Sequence, residues 1–145
     1  MSGARPVRVP RAARAWWLAS LLLVAVPAAA THAPDHRFVV LGYVADGAGR
    51  PVAATRVVVT RVKTGLEYPT RTEADGFYLV VVHLHDEDQG ERLAIEAAGV
   101  RGEIRARFDV QDRKVERGTR VDVRGGELVE NRRAFAETLR QYLAR

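Results

Sequence analysis

The sequence predicts an all-β fold: a seven-or-so-stranded antiparallel β-sandwich, preceded by a secretory signal and followed by a C-terminal amphipathic helix. From residue 37 onward, apolar and polar residues alternate with a period of two, and β-branched residues dominate. Clusters of Gly, Pro, Asp and Thr interrupt the alternation at short, regular intervals. Short alternating segments bounded by turn residues are typical of a sandwich. A switch to helical spacing near the C-terminus predicts the helix.

The N-terminal segment, residues 1–30, has the composition of a signal peptide. Residues 1–14 carry arginines and no acid, residues 15–30 form an apolar run, and small side chains follow Pro27. We expect cleavage after Ala30 or Ala33 on the general secretory (Sec) route. High Arg and Ala content suggests a bacterium, so the destination is the periplasm or the exterior. An uncleaved anchor is the alternative, but the apolar run is shorter than the roughly 20 residues of a spanning helix.

Removing this segment changes the charge and the available chemistry. The chain has 23 Lys and Arg and 18 Asp and Glu, and the segment holds four arginines and none of the acids, so 19 bases and 18 acids remain. A net charge of +1 gives no reason to expect a nucleic-acid partner. The chain has no cysteine, which excludes disulfides, thiolate metal sites and thiol nucleophiles. Its serines, Ser2 and Ser20, both lie in the segment.

The remaining chain predicts one domain over residues 36–124. We expect strands over residues 37–45, 56–63, 68–72, 77–84, 92–98, 103–110 and 117–123. Val57 and Val59 form the expected inward pair of the second strand. The segment 77–84 is apolar on both faces, which predicts a central strand.

The C-terminal segment, residues 127–145, is expected to be an amphipathic helix or a tail. Its apolar stripe consists of Leu128, Phe135, Leu139, Tyr142 and Leu143. It is too polar to span a membrane, so we expect no stable membrane span once the signal is removed. The helix either packs on an open face of the sandwich, stays a partly ordered tail, or binds a partner.

Several motifs of the first half resemble the carboxypeptidase regulatory-like domain. They are the segments 40–46 (VLGYVAD), 49–53 (GRPVA), 57–59 (VVV), 64–65 (TG) and 72–78 (TEADGFY). The resemblance covers about residues 38–98 and implies an immunoglobulin-like, transthyretin-type (prealbumin-like) sandwich. The acidic loop, the Arg-rich strands and the terminal helix depart from the family pattern.

The resemblance implies an accessory role. Such domains stabilise or position other proteins, so we expect no enzyme but a non-catalytic module for binding or assembly in the bacterial cell envelope. Its partner is an unidentified envelope protein or a glycan. None of the four histidines is followed three residues later by the glutamate that a zinc carboxypeptidase needs.

A metal-binding accessory protein is the alternative, because His83 and His85 stand at i and i+2 of a strand and project from one face. Asp86 and Asp88 follow as oxygen donors or as partners that fix the imidazole tautomer, with Glu87 and Glu91 nearby. Copper or zinc is the expected ion. Only two nitrogen ligands are visible, whereas a stable zinc site has three or four protein ligands.

A carbohydrate-binding module is the second alternative, and it needs exposed aromatic side chains. Both tryptophans, Trp16 and Trp17, lie in the signal segment. Tyr68, beside Pro69, is the aromatic residue most open to exposure.

Overall fold

Two four-stranded sheets pack face to face around an apolar core in the computed structural model, which describes residues 37–145. The predicted signal peptide and its cleavage positions lie outside the described residues. The strands are β1 (Arg37–Tyr43), β2 (Arg56–Arg61), β3 (Glu67–Arg71), β4 (Phe77–His83), β5 (Arg92–Ala97), β6 (Val100–Arg105), β7 (Gly118–Arg124) and β8 (Glu127–Glu130). A helix, α1, spans Phe135–Leu143, and 3₁₀ turns occupy Asp86–Asp88 and Arg132–Ala134.

The first sheet has the order β4-β1-β7-β8 and the second the order β3-β2-β5-β6. The all-β sandwich is therefore confirmed, but it is not wholly antiparallel, because β1 and β7 pair in parallel. The connection between β6 and β7, residues 106–117, carries the chain from the second sheet to the first. The parallel neighbours β1 and β7 are joined through all the strands between them in sequence, whereas a tight hairpin can join only antiparallel neighbours.

The core follows from the period-two pattern of the inward-facing positions. Val57 and Val59 on β2 are fully buried, as predicted, and β5 places the buried side chains of Ala97 and Ile95 opposite them. Phe38, Val40 and Val121 supply the facing layer from the first sheet. Burial of this apolar surface is the main stabilising contribution available to a chain without disulfides.

The prediction that residues 77–84 form a central strand is wrong, because β4 lies at the edge of the first sheet. Its two apolar faces have a different cause. Val80 and Val82 face the sandwich core, whereas Phe77 and Leu79 face outward and pack under the C-terminal helix.

The predicted helix over residues 127–145 begins later than expected. Residues Glu127–Glu130 form β8, which pairs with β7, and α1 starts at Phe135. Leu128, which the helical stripe included, packs instead against the sandwich core. Phe135, Leu139 and Tyr142 of the stripe cover the outer face of the first sheet, so the segment is neither a free tail nor an unpartnered helix. Leu143, the last residue of the predicted stripe, is 73% exposed.

Within residues 37–145, no helix is long and apolar enough to cross a membrane.

Candidate functional site

The two histidines that predicted a metal site lie where β4 ends. His83 is the last residue of β4 and is exposed, with its ring centroid 6.5 Å from that of Tyr68. Leu84 is buried, and His85 caps the 3₁₀ turn with its backbone, since its N–H donates to Asp88 Oδ2 at 3.0 Å. The two residues therefore belong to a strand end and a turn rather than to one continuous strand.

Asp88 belongs to a buried network of charges rather than to an open donor set. Its Oδ2 lies 3.0 Å from Nη2 of Arg61, and its Oδ1 accepts from Nζ of Lys63 at 3.0 Å. Arg61 also makes a two-pronged bond to Glu91, at 3.0 and 2.7 Å, and donates through Nη1 to the carbonyl of His83. The side chains of Arg61, Asp88 and Glu91 are only 11, 4 and 5% exposed. The network ties the loop after β4 to the second sheet.

The pKa of Asp88 reports the balance of this environment. Burial acts to raise the pKa, but the His85 N–H, the Lys63 ammonium and the Arg61 guanidinium outweigh it and lower the pKa to about 2. The carboxylate is therefore ionised and fully engaged at neutral pH.

Asp86 is engaged from another side. Its carboxylate accepts from Arg117 at 2.8 Å and from Arg113 at 3.1 Å. The hydrogen bond from Arg117 is the largest cause of the lowered pKa of Asp86. Both carboxylates that sequence reasoning offered to a metal are thus paired with cations.

Among residues 37–145, no group of three or more His, Asp or Glu side chains is arranged to hold a metal ion. The structure brings Asp88 next to the backbone of His85, but the carboxylates of Asp86 and Asp88 form ion pairs with arginine and lysine side chains. A copper or zinc site at His83 and His85 stays a prediction without support from this arrangement. The network has a sequence signal that was not used: Arg61 continues the inward positions of Val57 and Val59 on β2.

Tyr68, the aromatic residue expected to be exposed, is half-buried. Tyr68 pairs with Val59 across the β2–β3 ladder and packs against the core, and its hydroxyl oxygen is buried without a hydrogen-bond partner. This side chain is therefore not positioned to stack on a sugar.

The outer face of the second sheet is a larger feature. Among the described residues, the one α-helix packs on the first sheet, so the two outer faces differ. A groove of about 510 Å³ runs over the second sheet, with the small side chains of Val58, Thr60 and Ala94 as its floor. Longer side chains on the outward positions surround it: Arg56, Glu67, Arg71, Arg92, Glu96, Arg101, Glu103 and Arg105.

The charges on this outer face are unequal. Its five arginines exceed its three glutamates, and two of the glutamates pair within the face, Glu67 with Arg56 at 3.8 Å and Glu103 with Arg92 at 3.2 Å. Of the charges on this face without an ion pair inside it, three are positive (Arg71, Arg101 and Arg105) and one is negative (Glu96). The outer face of the second sheet carries an excess of two positive charges, although the chain after residue 30 is nearly neutral.

A second set of arginines lies on the first sheet and was missed by sequence reasoning. Arg120, Asp122 and Arg124 occupy alternate positions of β7, so they share one face. We call them the β7 triad. Asp122 is 4% exposed and accepts from both arginines and from the Tyr43 N–H. The spacing Arg-x-Asp-x-Arg on a predicted strand is the signal that could have found it.

No family model matches the chain, and no curated protein matches it either. Solved structures do. One is a crystal structure of (S)-allantoin synthase, at 14% identity and a TM-score of 0.44, covering 68% of this chain and 44% of that one. Another is the dioxygenase domain of a dioxygenase–carbohydrate-binding protein fusion from the cellulolytic bacterium Streptomyces sp. SirexAA-E, at 16% identity and a TM-score of 0.36. That similarity covers 69% of this chain and 79% of the domain.

The prediction that this chain is not an enzyme is wrong in the inference on which it rested. It relied on the accessory role of one resembled family, whereas the similar solved chains are a synthase and a dioxygenase domain. A β-sandwich fold does not by itself exclude catalysis, because one fold can host many unrelated functions. Similarity at this level assigns neither of those activities to the chain.

Proposed function

We propose that this protein is an exported module of the bacterial cell envelope that binds another protein through the outer face of its second sheet. The asymmetry of the two outer faces carries the proposal: α1 covers the first sheet, whereas the second presents an open groove among charged side chains. The signal-like residues 1–30 support export to the periplasm or the exterior. The motifs of residues 38–98 support a transthyretin-type sandwich of the carboxypeptidase regulatory-like family.

The partner that fits this surface is an extended acidic segment of an envelope protein. The excess of two positive charges favours an anionic partner, and complementary charge accelerates encounter and selects partners. The narrow floor of Val58, Thr60 and Ala94 suits an extended chain with small side chains. Tyr68 faces inward, and the centre of this face has no aromatic side chain, since it consists of Arg56, Val58, Thr60, Ala94 and Glu96. A protein segment therefore suits this face better than a glycan, which would need an aromatic ring to stack on.

The binding test uses a defined peptide rather than an unknown partner. A twelve-residue peptide of alternating Glu and Val is titrated into ¹⁵N-labelled full-length protein, and a Lys/Val peptide of the same length serves as its matched opposite. We expect the acidic peptide to shift the amide signals of β2, β5 and β6, and the basic peptide to leave them unchanged. Equal binding of both peptides, or shifts confined to the first sheet, would contradict the proposal.

Charge reversal on the open face is the second part of the test. Arg101→Glu with Arg105→Glu reverses two exposed charges and is expected to weaken binding of the acidic peptide by at least tenfold. Arg133→Glu, an exposed arginine of the second 3₁₀ turn, is the control and should bind as the wild type does. Indistinguishable affinities of the two variants would sink the proposed surface.

Export has its own measurement. Fractionation of bacterial cells that express the full chain should place a shortened protein in the periplasm or the medium. Leu22→Arg in the apolar run should retain the uncleaved chain in the cytoplasm. A wild-type protein found in the cytoplasm at its full mass would contradict export while leaving the peptide result intact.

A further inference from the structure

A separate cavity of about 440 Å³ opens at one end of the sandwich, where the loop between β1 and β2 meets the β3–β4 and β7–β8 turns. Tyr43, Pro51, Asp75, Arg120 and Arg124 contribute to its lining. This volume lies in the range of small-molecule sites. The cavity is distinct from the groove of the second sheet, which no residue of this lining shares.

One side of the cavity carries an excess of positive charge. In the β7 triad, two guanidinium groups share the single carboxylate of Asp122. The other terminal nitrogen of Arg120 donates a hydrogen bond to Thr138 Oγ1 at 3.1 Å, and the side chain is 20% exposed. Arg124 is 59% exposed and bonds to Asp122 through one nitrogen, so the rest of its guanidinium faces solvent. An exposed guanidinium beside an already neutralised carboxylate is a natural partner for a carboxylate ligand.

The opposite side carries an excess of negative charge. Arg145 lies between two carboxylates, 3.2 Å from Glu73 and 3.0 Å from Asp75. Asp75 lines the cavity and is 46% exposed. Its Oδ1 accepts from the Phe77 N–H at 3.0 Å, which fixes the carboxylate at the turn before β4.

The third carboxylate of the lining is already compensated. Asp46 accepts from Arg50 through both its backbone and its side chain. The backbone hydrogen bond from Arg50 is the largest cause of the lowered pKa of Asp46. The unbalanced charges are therefore those of Arg124 on one side and Asp75 on the other.

From this arrangement we infer that the cavity binds a small zwitterion of the short-peptide type. The carboxylate end lies on Arg124, the ammonium end on Asp75, and the chain between them over Tyr43 on the intervening strand. Asp75 lies two residues before β4, Arg124 ends β7, and β1 runs between these two strands, so the two charged groups are separated by two strand spacings, or about 10 Å. An extended dipeptide spans about 7 Å and a single residue about 3.6 Å, so the dipeptide fits the separation better.

The test titrates four defined compounds into the full-length protein by isothermal calorimetry. They are L-alanyl-L-alanine, its N-acetyl derivative, its C-terminal amide and L-alanine. Compared with the dipeptide, the N-acetyl form lacks the positive charge, the amide lacks the negative charge, and alanine is one residue shorter. We expect the dipeptide to bind most tightly and each capped form to bind about tenfold more weakly, as a lost charged hydrogen bond implies. An absence of heat with all four, tighter binding of alanine, or capping without effect would overturn the inference.

Two variants assign the ends of the ligand. Arg124→Gln should weaken binding of the dipeptide to that of its amide, and the amide should bind this variant as it binds the wild type. Asp75→Asn keeps the oxygen that accepts the Phe77 N–H and should remove the difference between the dipeptide and its N-acetyl form. Arg107→Gln, an exposed arginine outside the cavity lining, is the control. Equal losses with the control, or capping effects unchanged in both variants, would place the ligand elsewhere.

The two proposals fail separately. Binding of the zwitterion is tested with variants of Arg124 and Asp75, whereas binding of the acidic peptide is tested with variants of Arg101 and Arg105. Failure of one test therefore leaves the other result in place.

Discussion

Phe135, the first residue of α1, lies directly over Gly118, the first residue of β7. A Cβ atom on Gly118 would come within 2.3 Å of Phe135 Cζ and of the carbonyl oxygen of Val39. The glycine therefore makes room for the ring on the outer face of the first sheet, where Val39, Leu41 and Leu139 complete the same apolar cluster. The contact places the helix at a fixed position over the sheet.

Gly118→Ala should lower the free energy of unfolding by about 1–3 kcal/mol, as other overpacked sites do. The added methyl group meets the ring of Phe135 and the backbone of β1, and the backbone cannot rotate away. Urea unfolding followed by circular dichroism measures the change. Gly47→Ala is the control, since its Cβ would meet nothing within 4 Å. Equal stability of the two variants would show that α1 does not rest on Gly118.

Arg61→Ala should cost about 3–5 kcal/mol, because it leaves the buried carboxylates of Asp88 and Glu91 without their shared cation. Lys63 still reaches Asp88, so Glu91 suffers the larger loss. Chemical unfolding of this variant and of Arg107→Ala, which removes an exposed arginine, provides the comparison. A loss below about 1 kcal/mol, the usual range of a surface ion pair, would contradict the structural role of the network.

Stability should depend on pH through Asp88. Its pKa is lower in the folded protein, about 2, than the ordinary value of 3.8, so its ionised form stabilises the fold above pH 4. This stabilisation, roughly 2 kcal/mol, is lost as pH falls from 4 towards 2. The stability difference between wild type and Asp88→Asn should therefore be largest near neutral pH and shrink in acid. Glu87→Gln, in the same loop, is the control, and a difference for Asp88→Asn that is constant from pH 2 to 7 would refute the expectation.

Ala98→Asn should stabilise the protein by up to about 1 kcal/mol, because a residue other than glycine held at positive φ is strained by about 1–3 kcal/mol. Ala98 and Gly99 form the two-residue turn between β5 and β6, and both have positive φ, at 50° and 76°. Asn tolerates this conformation better than Ala and is favoured in such hairpin turns. Thermal unfolding checks the shift, with Ala48→Asn, where φ is not positive, as the control. A lower melting temperature for Ala98→Asn would count against the strain at this turn.

Most strands could be predicted from the sequence because each has a period-two face that the core buries. The errors arose where an apolar residue is buried by something other than the sandwich core or the element that its spacing suggests. Phe77 and Leu79 look like residues of a central strand, but a helix rather than a neighbouring sheet covers them. Leu128 fits a helical stripe by spacing, yet it fills the space beside Gly102, whose Cβ would lie 2.5 Å from the Leu128 side chain. Spacing along the chain does not identify which surface an apolar residue meets.

The candidate sites were less predictable because they depend on pairs far apart in sequence. His83, His85, Asp86 and Asp88 looked like a donor set because they lie within six residues of sequence. Their partners, Arg61 and Arg117, come from other strands and connections, and local spacing does not reveal them. The cavity beside Arg124 likewise forms from three loops that only the strand order brings together.

The parallel pairing of β1 with β7 has a consequence for how the chain folds. Tyr43, at the end of the first strand, bonds through its N–H to Asp122, which is 79 residues away. Closing so long a loop costs entropy before the contact repays it, so folds with many such contacts form slowly. The first sheet cannot close until almost all of the chain has been synthesised. A nascent chain therefore cannot complete the sandwich before β7, which ends at Arg124, has been synthesised.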